Sequence, residues 1–137
     1  MVYRTKSVLE TEDAGYQFAA GLHAGDVVAL TGGLGAGKTA FVRGIARRLC
    51  PEAEVSSPTF TIAHEYEGEI PVFHFDMYRI SSFDDLYNIA FFDYLDRGGV
   101  SVIEWSENIE DALPEGTIRV DITVDGDGRR ITVGERQ

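Results

Sequence analysis

Residues 32–39 read Gly32-Gly33-Leu34-Gly35-Ala36-Gly37-Lys38-Thr39, and their setting decides how the rest of the chain is read. The run before them, Val27-Val28-Ala29-Leu30-Thr31, is short and almost wholly apolar, as a strand covered on both faces must be. After them Phe41, Ile45 and Leu49 recur at helical spacing, and Pro51 stops the series. A strand, a glycine loop and a helix are what the pattern G-x-x-x-x-G-K-[ST] requires, and Gly32, Gly37, Lys38 and Thr39 meet it. Glycines let the backbone curl so that successive N–H groups point inward around a phosphate, and the helix adds its positive N-terminal end. Lys38 then reaches the β- and γ-phosphates, and the Thr39 hydroxyl ligates Mg²⁺. At average glycine usage the pattern arises by chance in roughly one chain of this size in several hundred. Its seat between strand and helix makes chance the weaker account.

Outward from the loop, the chain organises as one α/β domain over residues 1–137, P-loop NTPase-like, with a mixed β-sheet flanked by helices. A first strand is expected near Tyr3–Ser7. A helix follows, with Thr11 as N-cap, Glu12 and Asp13 in its first turn, and Ala14, Phe18 and Leu22 on one face. Phe60–Tyr66 and Val72–Phe75 predict a hairpin through Glu67-Gly68-Glu69. Ser82 caps a helix over Phe83–Leu95, which ends at Gly98-Gly99. Val100–Ile103 is a further buried strand. Ile118–Val124 and Arg129–Val133 flank Asp125-Gly126-Asp127-Gly128, a second hairpin.

With 137 residues and a net charge of −11, the chain is a single small acidic domain. Only Lys6 and Lys38 among its 12 basic residues are lysines. Such a surface repels phosphate backbones, so direct and extended binding to DNA or RNA is disfavoured. Arg43, Arg47 and Arg48 are the best candidates for a small basic patch. One cysteine, Cys50, cannot form an internal disulfide, which fits a reduced compartment. The N-terminus lacks an apolar signal core and no apolar run reaches membrane-spanning length, so the expected localisation is cytoplasmic.

A phosphate loop alone does not hydrolyse anything. A carboxylate for the metal and a group to place the attacking water are also required. Asp76 follows Val72-Phe73-His74-Phe75, and Glu104 follows Val100-Ser101-Val102-Ile103. An acidic residue just after a buried strand lies at the carboxyl edge of the sheet, where α/β folds bind ligands. Either one alone reads as a solvated strand end; two beside a phosphate loop point to a site.

Four motifs in order now carry a resemblance: Gly35-Ala36-Gly37-Lys38-Thr39, Ser57-Pro58-Thr59, His74-Phe75-Asp76-Met77-Tyr78-Arg79 and Glu104-Trp105. The chain resembles the bacterial TsaE (YjeE) ATPases from about Thr11 to Val133. That resemblance implies an ATP-binding, weakly hydrolysing protein that supports threonylcarbamoyl-adenosine formation on tRNA beside the partners TsaB and TsaD. It implies that Thr39 and Glu104 hold Mg²⁺, that Asp76 lies beside the γ-phosphate, and that Ser57-Pro58-Thr59 is a switch-like loop. With the loop residues Gly32, Gly33, Leu34, Gly35, Ala36, Gly37, Lys38 and Thr39, Asp76 would complete the nucleotide site, and Thr59 would sense the γ-phosphate. Two departures stand out. Gly33 occupies a position where the family usually has an acid, and Ala90 one where it usually has glycine.

Other residues stay open at this level. Trp105 belongs either near the site or in a core or partner contact. His74 shares a strand face with Asp76 and reads as a packed histidine more than a catalytic one. Tyr78 and Arg79 read equally as partner surface or local ion pair. Arg129 and Arg130 either approach the nucleotide or charge an edge strand. His23 and His64 lack metal-ligand spacing. A GTPase reading fails because Asn108-Ile109-Glu110-Asp111 lacks the lysine of the guanine-reading Asn-Lys-x-Asp. A small-molecule kinase would need an arginine-bearing lid that the stretch after Glu104 has little room for. A non-hydrolysing nucleotide-dependent scaffold is the rival from another class.

Overall fold

The computed structural model describes residues 1–33, 37–53, 63–78, 80, 82, 84–85 and 91–134. Seven strands form one sheet: β1 (Val2–Thr5), β2 (Val27–Thr31), β3 (Ala63–Tyr66), β4 (Val72–Asp76), β5 (Val100–Glu104), β6 (Ile118–Asp125) and β7 (Gly128–Val133). Their spatial order is β1-β7-β6-β2-β5-β4-β3. The four central strands, β6, β2, β5 and β4, run parallel, β3 on one side and β7 on the other run antiparallel to them, and β1 pairs antiparallel with β7 and so points the same way as the central four. The apolar runs before the glycine loop, before Asp76 and before Glu104 thus lie side by side as β2, β4 and β5. The β6–β7 hairpin closes through Gly126-Asp127, with Gly126 at φ +63°, where the absence of a Cβ removes the strain.

Two helices, α1 (Val8–Ala19) and α2 (Lys38–Leu49), cover one face of the sheet. Phe41, Ile45 and Val42 from α2 meet Val28 and Leu30 of β2, Val100 and Val102 of β5, and Ala14 of α1 in one core cluster. The other face is covered by α3 (Phe91–Leu95) and a 3-10 segment, Ser106–Ala112, around Phe73, Phe75, Phe91, Ile103 and Ile109. Phe75 packs edge-on against both Phe91 and Tyr94. Within the expected helix over Phe83–Leu95, Asp84 and Asp85 are helical, and the Asp85 amide donates to Ser82 Oγ at 3.3 Å. Residues 83 and 86–90, with Ala90, lie outside the described residues.

The start of α1 differs from the expectation. Thr11 is not its cap. Ser7 is, in extended conformation, its Oγ accepting from the Glu10 amide at 3.1 Å, while Glu10 Oε1 accepts from the Lys6 amide at 3.1 Å. Thr11 sits inside the helix, buried, its hydroxyl 2.7 Å from that of Thr5. The first strand accordingly ends at Thr5, ahead of Ser7, and Leu22 is buried beyond the helix end.

The pairing of α1 with α2 depends on two glycines. A methyl at Gly44 would overlap the Glu12 carbonyl oxygen and crowd the Tyr16 amide, and one at Gly15 would overlap the Phe41 carbonyl oxygen. Both obstacles are backbone, which cannot swing aside. Gly44→Ala is therefore expected to destabilise the fold despite alanine's better helix propensity, by the 1–3 kcal/mol typical of overpacking or somewhat more, that is about 1–3 kcal/mol at least. Chemical denaturation read by circular dichroism checks this; an unchanged or raised midpoint contradicts the packing argument.

Around the rim of the pair, Arg47 is held by Glu12 at 3.1 Å and Asp13 at 3.0 Å, and both Arg47 and Arg48 lie over the Tyr16 ring. Two of the three arginines proposed as a basic patch are thus engaged by α1. Among the described residues no helix is long and apolar enough to cross a membrane.

Candidate functional site

The site lies where three parallel strands end. Strand register places Glu104 beside Leu30 of β2 on one side and beside Asp76 of β4 on the other. The loop leaves β2 through Gly32, at φ +137°, and enters α2 through Gly37, at φ +103°. Both values lie in the region that side chains avoid, which is why the pattern requires glycine at its two ends. Leu34, Gly35 and Ala36 between them lie outside the described residues, as do Ser57-Pro58-Thr59 and Arg79. Gly33 is exposed with nothing within 4 Å of where a Cβ would sit, so space does not dictate its departure from an acidic residue.

Lys38, the first residue of α2, is 5% exposed. Its Nζ donates to the Gly32 carbonyl at 2.9 Å and stands 4.0 Å from the centroid of the Trp105 ring. Burial pushes its pKa below the ordinary lysine value, while the nearby charges of Glu104, Glu107 and Asp76 pull it back up. The ammonium that the pattern assigns to phosphates is therefore ringed by the two carboxylates read at the strand ends. Glu107, from the 3-10 segment, is a third that sequence reasoning did not single out. Thr39 follows on the first turn of α2, half-buried.

Trp105 meets two of its readings at once: it packs against the second core cluster, and its ring faces Lys38. It is the one non-glycine residue among those described with positive φ, at φ 58° and ψ 39°. A bulky side chain in that conformation is strained, and such strain persists only where the surroundings impose it. Here the chain must turn directly from β5 into the 3-10 segment while the indole lies over Lys38. Tyr78 packs against the same ring, centroids 4.9 Å apart. Asp76 Oδ1 accepts from the Tyr78 amide at 2.9 Å, and Asn108 Nδ2 donates to the Met77 carbonyl at 2.9 Å and the Tyr78 carbonyl at 3.2 Å. The loop after β4 is thereby fastened to the segment after β5. Asn108, dismissed as guanine reader, has this positioning task.

Behind the rim lies a buried polar line. Glu104 is 6% exposed, and its Oε2 is 2.5 Å from His74 Nε2; His74 Nδ1 is 3.0 Å from the Tyr66 hydroxyl. His74 is completely buried. It is a packed histidine, as read, but its contact with Glu104 and the presence of Tyr66 behind it were not foreseen. Arg129 approaches from β7: its Cγ would lie 4.0 Å from a Cβ at Gly37. That places its side chain next to the end of the glycine loop and leaves Arg130 on the hairpin.

The donors are hard oxygens: the Asp76 and Glu104 carboxylates at the strand ends and, from the first turn of α2, the Thr39 hydroxyl. No group of three or more His, Cys, Asp or Glu among the described residues could hold a metal. Mg²⁺ is bound in this way elsewhere: by one or two carboxylates, with water and substrate phosphates supplying the other ligands. The residues present fit that ion together with a nucleotide.

The family model described as threonylcarbamoyl adenosine biosynthesis protein TsaE matches residues 5–132. The chain belongs to the TsaE family. It is 43% identical over 113 residues to the tRNA threonylcarbamoyladenosine biosynthesis protein TsaE of Treponema pallidum, covering 82% of this chain and 84% of that one. The TsaE protein of Bacillus subtilis is 39% identical over 129 residues, 93% of this chain and 80% of that one. The crystal structure of Bacillus subtilis YdiB superposes with a TM-score of 0.82 at 34% identity, over 100% of this chain and 86% of that one. The mixed sheet with helices on both faces is thus the TsaE architecture in this chain as well, and the family's role lies in tRNA threonylcarbamoyladenosine biosynthesis.

Proposed function

We propose that the chain binds ATP with Mg²⁺ at this site, hydrolyses it slowly on its own, and supports threonylcarbamoyladenosine formation on tRNA together with TsaB and TsaD. The observation that carries the reading is the convergence of Lys38, Glu104 and Asp76 at the ends of three neighbouring parallel strands. In this reading the loop amides from Gly32 to Thr39, with Leu34, Gly35 and Ala36 among them, cradle the phosphates, and Lys38 neutralises the β- and γ-groups. Thr39 and Glu104 hold the Mg²⁺, which when bound neutralises charge on the phosphate oxygens. Asp76 lies beside the γ-phosphate and places the attacking water, and Thr59 senses the γ-phosphate. Membership of the TsaE family supports the adenine nucleotide and the partners.

Several features favour work through partner proteins over a direct grip on tRNA. The charge of −11 opposes RNA approach, and Arg47 is already engaged by Glu12 and Asp13. A domain this small has little surface for a second substrate beside the nucleotide cleft, so missing elements are most simply supplied in trans. Phosphate release from ATP, measured with the pure chain and again with TsaB and TsaD, tests the proposal. Slow release that changes on adding the pair is the expected result. No release under either condition would leave the scaffold reading, and tight tRNA binding by the chain alone would contradict the partner reading.

A further inference from the structure

The buried line behind Glu104 has no part in the chemistry described so far, and its members are too polar to be there without cost. An ionised carboxylate that is 6% exposed needs a donor, and His74 Nε2 at 2.5 Å is the one it has among the described residues besides the field of Lys38. An imidazole presents two nitrogens, and which one carries the proton is set by what the other meets. Nδ1 meets the Tyr66 hydroxyl at 3.0 Å. Assigned from this network, a neutral ring satisfies both contacts in one way: the tyrosine O–H donates to Nδ1, and Nε2–H donates to Glu104 Oε2. The reverse tautomer would set a bare Nε2 lone pair against a carboxylate oxygen.

We propose that His74 is a positioning residue for Glu104, and that Tyr66 locks the histidine tautomer so that one carboxylate oxygen is held and the other, Oε1, is presented to the cation. Among the described residues Oε1 has no hydrogen-bond partner. The position of His74 follows from the sheet: it lies opposite Val102 in register, so Glu104, two residues on, shares its face and lies diagonally across. Tyr66 reaches the same histidine from β3, whose antiparallel pairing puts His64 opposite His74. All three side chains are buried, so the geometry of the carboxylate is set from inside the fold and not by solvent. The inference rests on the reading of Glu104 as a metal ligand. Partners of this kind, one step removed from a metal, commonly govern affinity by about 10–100-fold when altered.

The test measures ADP binding by calorimetry with EDTA and across a MgCl₂ series, and reads the His74 tautomer from two-bond proton–nitrogen correlations. In the wild type the ring is expected protonated at Nε2 and bare at Nδ1. Tyr66→Phe, which keeps the ring packing, should lose that single tautomer and raise the Mg²⁺ concentration needed for half-maximal effect. His74→Leu should raise it further, by about 10–100-fold, with ADP affinity in EDTA unchanged, and His74→Gln, whose amide can still donate to Glu104, should restore most of the response. Glu104→Ala separates the two readings. If it leaves the Mg²⁺ series unchanged, the metal-ligand reading falls and the positioning role with it. If Glu104→Ala shifts the series but folded Tyr66→Phe and His74→Leu do not, the positioning role alone is overturned. Wild-type His74 protonated at Nδ1 overturns it as well. Should His74→Leu fail to fold, Tyr66→Phe and the tautomer still decide.

Discussion

Lys38→Met should abolish most nucleotide binding, lowering ATP affinity by about a hundredfold, while the protein stays folded. Two terms add in the same direction. A hydrogen-bonded charge on a phosphate is worth about 1.5–3 kcal/mol, which at about 1.4 kcal/mol per decade already costs roughly one to two decades. The second term comes from the surroundings, because Lys38 is the cation facing Glu104, Glu107 and Asp76. Without it, an incoming polyphosphate meets three carboxylates on a chain of net charge −11. Methionine retains the aliphatic stem beneath Trp105, so lost packing is kept small, and removing a buried ammonium relieves a desolvation cost. Calorimetry on the variant, with circular dichroism to confirm folding, decides the matter. Unchanged affinity would sink the assignment of Lys38 to the phosphates.

Asp76→Asn should leave ATP binding near the wild-type level and reduce turnover by about 10²–10⁴-fold, the usual contribution of a positioned proton acceptor. The substitution is clean for a structural reason. One oxygen of Asp76 already accepts from the Tyr78 amide, closing a local turn, and asparagine makes that turn equally well. The loop, the Tyr78–Trp105 contact and the Asn108 fastening therefore stay in place. What is lost is the negative charge and its capacity to take a proton from, or orient, a water molecule. Single-turnover phosphate release beside equilibrium binding separates the two effects. Hydrolysis at the wild-type rate would show that Asp76 has no part in the chemistry.

Much of this was legible in the chain itself, and the exceptions have identifiable causes. β2, β4 and β5 are largely apolar runs with a chemical residue at or just after the end, so both the strands and the placing of those residues at one sheet edge could be read. The start of α1 could not, because Val8 and Leu9 look like residues that want a core, yet they are 63% and 72% exposed. Ser7-Val8-Leu9-Glu10 carries the S-x-x-E spacing of a helix start, but Thr11 followed by two acids imitated one more strongly. Thr11 is instead paired with Thr5, a contact across a turn that no periodicity announces. The bond from His74 to Glu104 was hidden for a different reason. It spans thirty positions and exists only because β4 and β5 pair in one particular register. Trp105 was ambiguous since sequence shows that an indole must be placed somewhere, and only the left-handed turn at its own backbone aims it at Lys38.

The glycine contact between α1 and α2 has a mechanical consequence for the nucleotide cleft. With backbone seated on backbone at Gly15 and Gly44, and Arg47 paired with Glu12 and Asp13, α2 meets α1 at two points where only backbone could give way. The anvil of the site, Lys38 and the first turn of α2, is thus mounted rigidly on its neighbour. Across from it, on the opposite jaw, Asp76, Tyr78, Trp105 and Asn108 are tied by three side-chain hydrogen bonds and one ring contact, so movement on exchange of a γ-phosphate is expected there before it is expected in the α1–α2 joint. A partner that reads nucleotide state would then find more to read on that jaw than on α1.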